Sequence, residues 1–304
     1  MKIVLAGGTG NIGKLLLKSF VDNGDEVIVL SRSSRNSDEA EYIGWDGRHI
    51  SNWVYALEGA DVLINLCGEG IAKRFTSENK KILIESRIQP TKVLGEAISQ
   101  INNPPRLWIN FSGISIYNGL DTIQDESSTT YGDDFLASLT KDWEQCFFDS
   151  QTPSTLKIAL RISAVLATGF GMFQELYPLA KMGLAGTVAS GRQYVSWIHQ
   201  DDLVRLIKWL VQKENPRNIY HACSPHPVTN RDFMSALRNA VGCRIGIPLP
   251  RQVAKLGAFA KGVDSSLLLQ TTPATTQYVV DDGFVFQFSY IADAFNQLIK
   301  TNNI

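Results

Sequence analysis

The chain has 304 residues, a formal net charge of −1, 44% hydrophobic residues and 19% charged residues. This is the make-up of a globular protein long enough for one or two domains and a large core. It contains no strongly basic tract, so neither nucleic acid nor an anionic membrane is an expected partner.

The first residues, Met1 to Leu5, meet glycines after a few apolar positions. That run is too short for a signal-peptide core or a membrane span, and the expected location is the cytoplasm. Ile3 to Ala6, Val27 to Leu30, Val62 to Leu66, Leu107 to Phe111 and Leu156 to Leu160 are short, continuous apolar runs. Continuity rather than alternation predicts strands of a parallel sheet covered on both faces. Helix-length segments lie between them at Gly13 to Asn23, Ser77 to Gln100 and Asp134 to Asp149. The repeat of strand and helix predicts a Rossmann-type doubly wound α/β sheet.

After Arg161 the pattern changes. Residues 168–198 are rich in glycine and small residues and read as loop and short elements contributing to a substrate cleft. Asp201 to Gln212 reads as a helix with Asp201 and Asp202 at its N-terminus, where carboxylates are favoured. From Cys243 come Pro248 and Pro250, a helical stretch near Val253 to Phe259, and a last helix near Ile291 to Ile299. The expected division is a Rossmann domain over 1–242 and a small α-rich lobe over 243–304. Cys67, Cys146, Cys223 and Cys243 are widely spaced and make no metal-ligand pattern, so reduced thiols and no metal site are expected.

The clearest chemical signal is Gly7-Gly8-Thr9-Gly10-Asn11-Ile12-Gly13, which follows the first strand and opens the first helix. Glycines permit a sharp turn and let backbone amides approach a pyrophosphate, and the helix N-terminus adds favourable partial charge. At the end of the second strand, where NAD-binding folds place a carboxylate for the ribose 2′-hydroxyl, this chain has Leu30-Ser31-Arg32, with Arg35 close behind. A hydroxyl and a guanidinium suit a 2′-phosphate, so NADP(H) is the expected cofactor.

The glycine loop resembles that of the extended short-chain dehydrogenase/reductases, the group containing nucleotide-sugar epimerases and dehydratases. More specifically, the chain is similar to an atypical epimerase-like subfamily that ends in a small domain of unknown function. The matching stretches are Asn65-Leu66-Cys67-Gly68-Glu69, Glu85-Ser86-Arg87-Ile88 with Thr91, and Gly191 to His199. Pro225 to Asn230, Ile247 to Pro250 and Asp282-Gly283-Phe284 extend the likeness nearly end to end. The resemblance implies that Leu66 and Cys67, with Gly68 beside them, line the adenosine ribose and pyrophosphate. It also implies that Arg87 reaches the cofactor phosphates and that Val165 lies near the nicotinamide.

In the parent family a serine after the fifth strand works with a tyrosine and, four residues later, a lysine that lowers the tyrosine pKa. Ser112 matches the serine, either orienting a substrate oxygen or capping backbone. The pair is missing. The helix that should carry it has Phe135 or Leu136 for tyrosine and Leu139 or Thr140 for lysine. Tyr177 and Lys181 have the right interval but follow the wrong strand, and Pro178 lies between them. His199 reads as structural; Arg192, in a loop that faces substrate in related folds, suits a phosphate or carboxylate. Trp197 and Tyr194 read as core or lobe-contact aromatics.

Three functions compete. One is an NADP-dependent oxidoreductase or epimerase-like enzyme on a small hydroxyl or carbonyl compound, with Tyr131, Tyr117 or water relaying the proton. Another is a non-catalytic NADP(H)-binding sensor or scaffold. A true nucleotide-sugar epimerase is disfavoured by the missing pair. Monomer and homodimer both fit.

Overall fold

The computed structural model describes residues 1–34 and 39–302, so Arg35 lies outside the described residues. In chain order the strands are β1 (Lys2–Ala6), β2 (Glu26–Ser31), β3 (Glu41–Gly44), β4 (Val62–Asn65), β5 (Leu107–Gly113), β6 (Leu156–Ile162), β7 (Ala164–Leu166), β8 (Tyr194–Val195), β9 (Trp197–His199), β10 (Ile219–Ala222) and β11 (Val228–Thr229). The helices are α1 (Asn11–Val21), α2 (Ser77–Ile98), α3 (Phe135–Asp149), α4 (Gly171–Lys181), α5 (Gln200–Val211), α6 (Asn230–Ala240), α7 (Arg251–Lys261), α8 (Ser266–Leu269), α9 (Tyr278–Asp281) and α10 (Ile291–Asn302).

Seven strands form one parallel sheet in the order β10-β6-β5-β4-β1-β2-β3. The expected doubly wound sheet is therefore present. Its apolar runs are buried on both faces: Ile3, Leu5, Val27, Val29 and Ile109 enter one core, and Val4, Ala6, Ile28, Leu30 and Leu63 the other. The chain moves outward from β1 through β2 to β3, then returns to place β4 on the other side of β1. At that reversal the connections leave in opposite directions, and a crevice opens beyond the C-terminal strand ends.

β3 and β10 escaped the sequence reading. β3 is a short edge strand with Tyr42 and Ile43 as its buried residues, and His221 interrupts the apolar run of β10. Residues 168–198, read as loop and short elements, contain the three-turn helix α4. Its Phe173, Tyr177 and Ala180, at helical spacing, pack into a third core with Trp197, Phe233 and Phe295. α6 was also legible in principle: Thr229 caps it by accepting from Asp232 N at 3.2 Å, and Phe233, Met234 and Leu237 form its buried face.

Residues after 243 enter two cores. Ala254, Phe288, Phe295 and Leu298 join α4 and α6 in the third core, while Val279 and Phe284 join the sheet core. Between α8 and α9 the tail runs alongside the loop after β5, with Gly119 N donating to Thr271 O and Gln124 N to Pro273 O, both at 2.9 Å. Among the described residues no helix is long and apolar enough to cross a membrane, and the four cysteines are unpaired.

Candidate functional site

Two glycines of the loop answer packing constraints, and a third is left open. Gly7 sits at φ 76°, its N–H bonds Leu30 O at 2.9 Å, and a Cβ there would meet Cys67 Sγ at 2.9 Å. A Cβ on Gly13 would lie 2.3 Å from Gly8 O, so only glycine lets α1 pack down on the loop. Gly10 differs, because a Cβ there meets nothing within 4 Å. It is the N-cap of α1, no side chain caps the helix, and the first turn holds no carboxylate. The free first-turn amides and the positive helix end therefore face open space, as a cradle for an anion requires.

At the end of β2, Ser31 is buried and donates its hydroxyl proton to Ser33 O at 2.6 Å, leaving its oxygen lone pairs as acceptors. Arg32 is exposed beside it. Across the crevice Asn65 Nδ2 bonds Asn110 Oδ1 at 2.7 Å and Thr91 Oγ1 at 3.0 Å, and its Oδ1 accepts from Cys67 N at 3.1 Å. Trp143 Nε1 adds a 2.8 Å bond to Thr91 Oγ1. This buried network ties the end of β4 to α2, β5 and α3, and so fixes the turn Leu66-Cys67-Gly68 against Gly7. Burial pushes the Cys67 thiol up to about 12, which makes it a packing group rather than a nucleophile.

Arg87 lies half-buried in the wall of the crevice. Its guanidinium donates to Leu83 O and Glu69 O, each at 3.1 Å, packs against the Trp143 ring at 5.3 Å, and makes no salt bridge among the described residues. Burial lowers its pKa to about 10, with Glu69 opposing the shift. A half-buried cation with no carboxylate in hydrogen-bond contact is readily paired by an incoming anion. Gly68 makes room: a Cβ there would be 3.1 Å from Arg87 Cζ.

A cleft of about 500 Å³ continues from Ile12, Gly68 and Arg87 across the ends of β5 and β6. Leu136 and Thr140, four residues apart on α3, both line it. They occupy one face of the helix that should carry the tyrosine and lysine, and neither is titratable. Ser112 also lines the cleft, but its Oγ donates to Glu144 Oε1 at 2.5 Å. Its proton is thus committed to a buried carboxylate. Ser115, which the sequence reading passed over, sits one short turn later, with its Oγ 3.0 Å from Thr140 Oγ1. Thr140 gives its proton to Leu136 O at 2.8 Å, so Ser115 is the donor in that pair. The signal was available, since Ser112-Gly113-Ile114-Ser115 puts a second serine within a turn of the first.

Tyr117 and Tyr131 do not line the cleft. Tyr117 is fully buried; its OH accepts from Arg161 Nη1 at 2.5 Å and lies 3.1 Å from Asp125 O and 3.2 Å from His221 Nε2. Burial raises its pKa. Tyr131 stands outside it, its ring 6.1 Å away. Behind Ser112, Arg161 pairs with Glu144 through Nε at 2.8 Å and Nη2 at 2.7 Å, a bidentate geometry in the interior. Burial works against that charge, and the bonds to Glu144 more than offset it, so the Arg161 pKa is raised.

Other residues singled out from the sequence fall away from the cleft. His199 is buried as the N-cap of α5, accepting from Asp201 N at Nδ1 (3.1 Å), with Nε2 2.9 Å from Gln297 Oε1. Tyr177 lies in the third core with Lys181 over its ring at 5.1 Å. Val165 packs against the sheet core, while its neighbours Ser163 and Ala164 line the cleft. Trp197 is buried, but Tyr194 lines both the cleft and an adjoining cavity of about 520 Å³ that holds Arg192 and Arg251.

A switch-point crevice, a glycine cradle and a serine-bearing fifth strand above α3 define an extended short-chain dehydrogenase/reductase. Residues 3–136 match the model of the NAD dependent epimerase/dehydratase family. An epimerase family protein of Mycobacterium bovis is 32% identical over 297 residues, covering 96% of this chain and 95% of that protein. The human epimerase family protein SDR39U1 is 28% identical over 305 residues, covering 98% of this chain and 100% of its own. The crystal structure of human SDR39U1 (isoform 2) with NADPH superimposes with a TM-score of 0.87 and 26% identity, covering 99% of each chain. The chain belongs to the epimerase family.

Proposed function

We propose that this protein holds NADP(H) at the crevice and is an oxidoreductase or epimerase-like enzyme on a small hydroxyl or carbonyl compound. When bound, the cofactor supplies hydride exchange at its nicotinamide. The observation that carries the reading is Arg87, a half-buried guanidinium that makes no salt bridge among the described residues. The amides from Gly8 to Gly13, including those of Thr9, Asn11 and Ile12, grip the diphosphate, flanked by Leu66, Cys67 and Gly68, while Gly7 N–H stays on Leu30 O and shapes the turn. Arg32 receives the 2′-phosphate, and Ser31 joins it by turning its hydroxyl proton away from Ser33 O. Human SDR39U1, crystallised with NADPH, is the relative that supports this choice.

The nicotinamide end is assigned to Ser163 and Ala164 in place of Val165, because those two face the cleft. Ser115 orients the substrate oxygen by exchanging its bond to the neutral Thr140 hydroxyl, which is weaker than the bond that ties Ser112 to the Glu144 carboxylate. An aliphatic hydroxyl is a far weaker acid than tyrosine, so the proton comes from a solvent water admitted to the cleft, and turnover is slow. The test is NADPH oxidation by the full chain across a panel of small aldehydes and ketones. Turnover that falls in Ser115→Ala supports the enzyme.

A second reading, a non-catalytic NADP(H) sensor or scaffold, is favoured by Leu136 and Thr140 standing on the face meant for the tyrosine and lysine. NADPH binding with no oxidation anywhere in the panel establishes it and retires the first.

A further inference from the structure

We infer that the segment from Arg244 to Lys261 docks this protein onto an anionic membrane surface. α7 is built inside out. The residues it buries are Ala254 and Ala258, whereas Val253, Leu256 and Phe259 are 50%, 68% and 62% exposed. Their spacing of three residues places all three on the outer face. In the loop before it, Ile245 and Ile247 are 70% and 56% exposed. Ile247 N bonds Gly183 O at 2.9 Å, which brings the exposed Met182 and Leu184 to the same place. Large side chains contiguous on a surface mark a binding face, whereas scattered ones do not.

The charge around this face selects the partner. Between Cys243 and Val263 the chain carries Arg244, Arg251, Lys255 and Lys261 and no Asp or Glu, although its net charge is −1. Arg74 adds a guanidinium 3.9 Å over the Phe259 ring. The carboxylates nearby include Glu175, 3.0 Å from Lys261, Asp264, which is bonded to Ser266, and Asp121, which shares a cavity with Arg251 and Arg192. An apolar helix face rimmed by lysine and arginine suits the boundary of an anionic bilayer. A second copy fits poorly, because a two-fold contact would set these cations against themselves. The composition-based expectation of no membrane contact averages over the whole chain; the basic and apolar residues become a patch only within this one segment.

The test is co-sedimentation of the full chain with vesicles of phosphatidylcholine alone or mixed with phosphatidylserine, at low and high salt. Binding to the anionic vesicles is expected to exceed that to the neutral ones at least about tenfold and to weaken with salt. Leu256→Glu with Phe259→Glu is expected to reduce it at least about tenfold, and Lys255→Gln about fivefold. These side chains are exposed, so circular dichroism melting of the variants stays at the wild-type value. Equal retention by both vesicle types overturns the inference, as does wild-type binding by the double glutamate variant. A dimer in sedimentation velocity that the double variant dissolves, with no vesicle binding, also overturns it and gives the face to a second copy.

Discussion

Ser112 Oγ donates to Glu144 Oε1 across 2.5 Å, and that bond commits the proton of the one family serine found in the sequence to a buried carboxylate. The same carboxylate holds Arg161 in a buried bidentate pair. Glu144→Gln leaves Arg161 charged and half-satisfied in the interior, and a loss of about 3–5 kcal/mol in urea unfolding is expected. Ser112→Ala removes one bond to a charged group and is expected to cost about 1.5–3 kcal/mol. If turnover is measurable, Ser115→Ala lowers it more than Ser112→Ala does.

Gly13 and Gly10 separate the structural from the ligand-facing glycines. Gly13→Ala puts a methyl 2.3 Å from Gly8 O, so α1 must move, and both the melting temperature and NADPH affinity fall. Gly10→Ala meets nothing within 4 Å, so the fold keeps its melting temperature. Its methyl projects into the cradle, and fluorescence titration is expected to show NADPH binding at least about tenfold weaker, near 1.4 kcal/mol.

Arg87→Met removes a half-buried cation that makes no salt bridge among the described residues. Replacing an ill-paired buried charge by an apolar side chain of similar length is neutral or stabilising. The expected pattern is opposed: an unchanged or higher melting temperature without cofactor, and NADPH affinity lower by about 1.5–3 kcal/mol for the lost charged bonds. A purely structural Arg87 would lose stability first.

Stability should fall on mild acidification. His199 and His221 are buried, and desolvation lowers both pKa values from 6.5. The native state then binds fewer protons than the unfolded state below about pH 6.5, so their contribution is full above that value and declines as pH drops toward the folded-state values. Each histidine adds a slope of up to about 1.4 kcal/mol per pH unit. His221→Gln is expected to flatten the profile in chemical denaturation at pH 5–7 relative to wild type.

The sheet was legible because β1, β2, β4, β5 and β6 are buried on both faces and so read as unbroken apolar runs. The cradle was legible because Gly7 needs its positive φ and Gly13 must pack on Gly8 O, both within one short stretch of chain. What stayed hidden depends on contacts between distant segments. The resemblance implies Val165 near the nicotinamide, and only the folded strand shows that Val165 packs against the core while Ala164 lines the cleft. Ser112 looked free until Glu144, 32 residues on, was brought to it by α3. α4 was obscured because its flanking glycines and internal Pro178 outweigh a three-residue apolar stripe.

Calorimetric titration of the full chain with NADPH and with NADH, beside Arg32→Glu, tests the central claim most directly. The account predicts saturable heat with NADPH, at least about tenfold weaker binding of NADH, and a narrowed gap in the variant, tenfold being about 1.4 kcal/mol. No heat with NADPH, or equal affinity for the two dinucleotides in the wild-type protein, would contradict it.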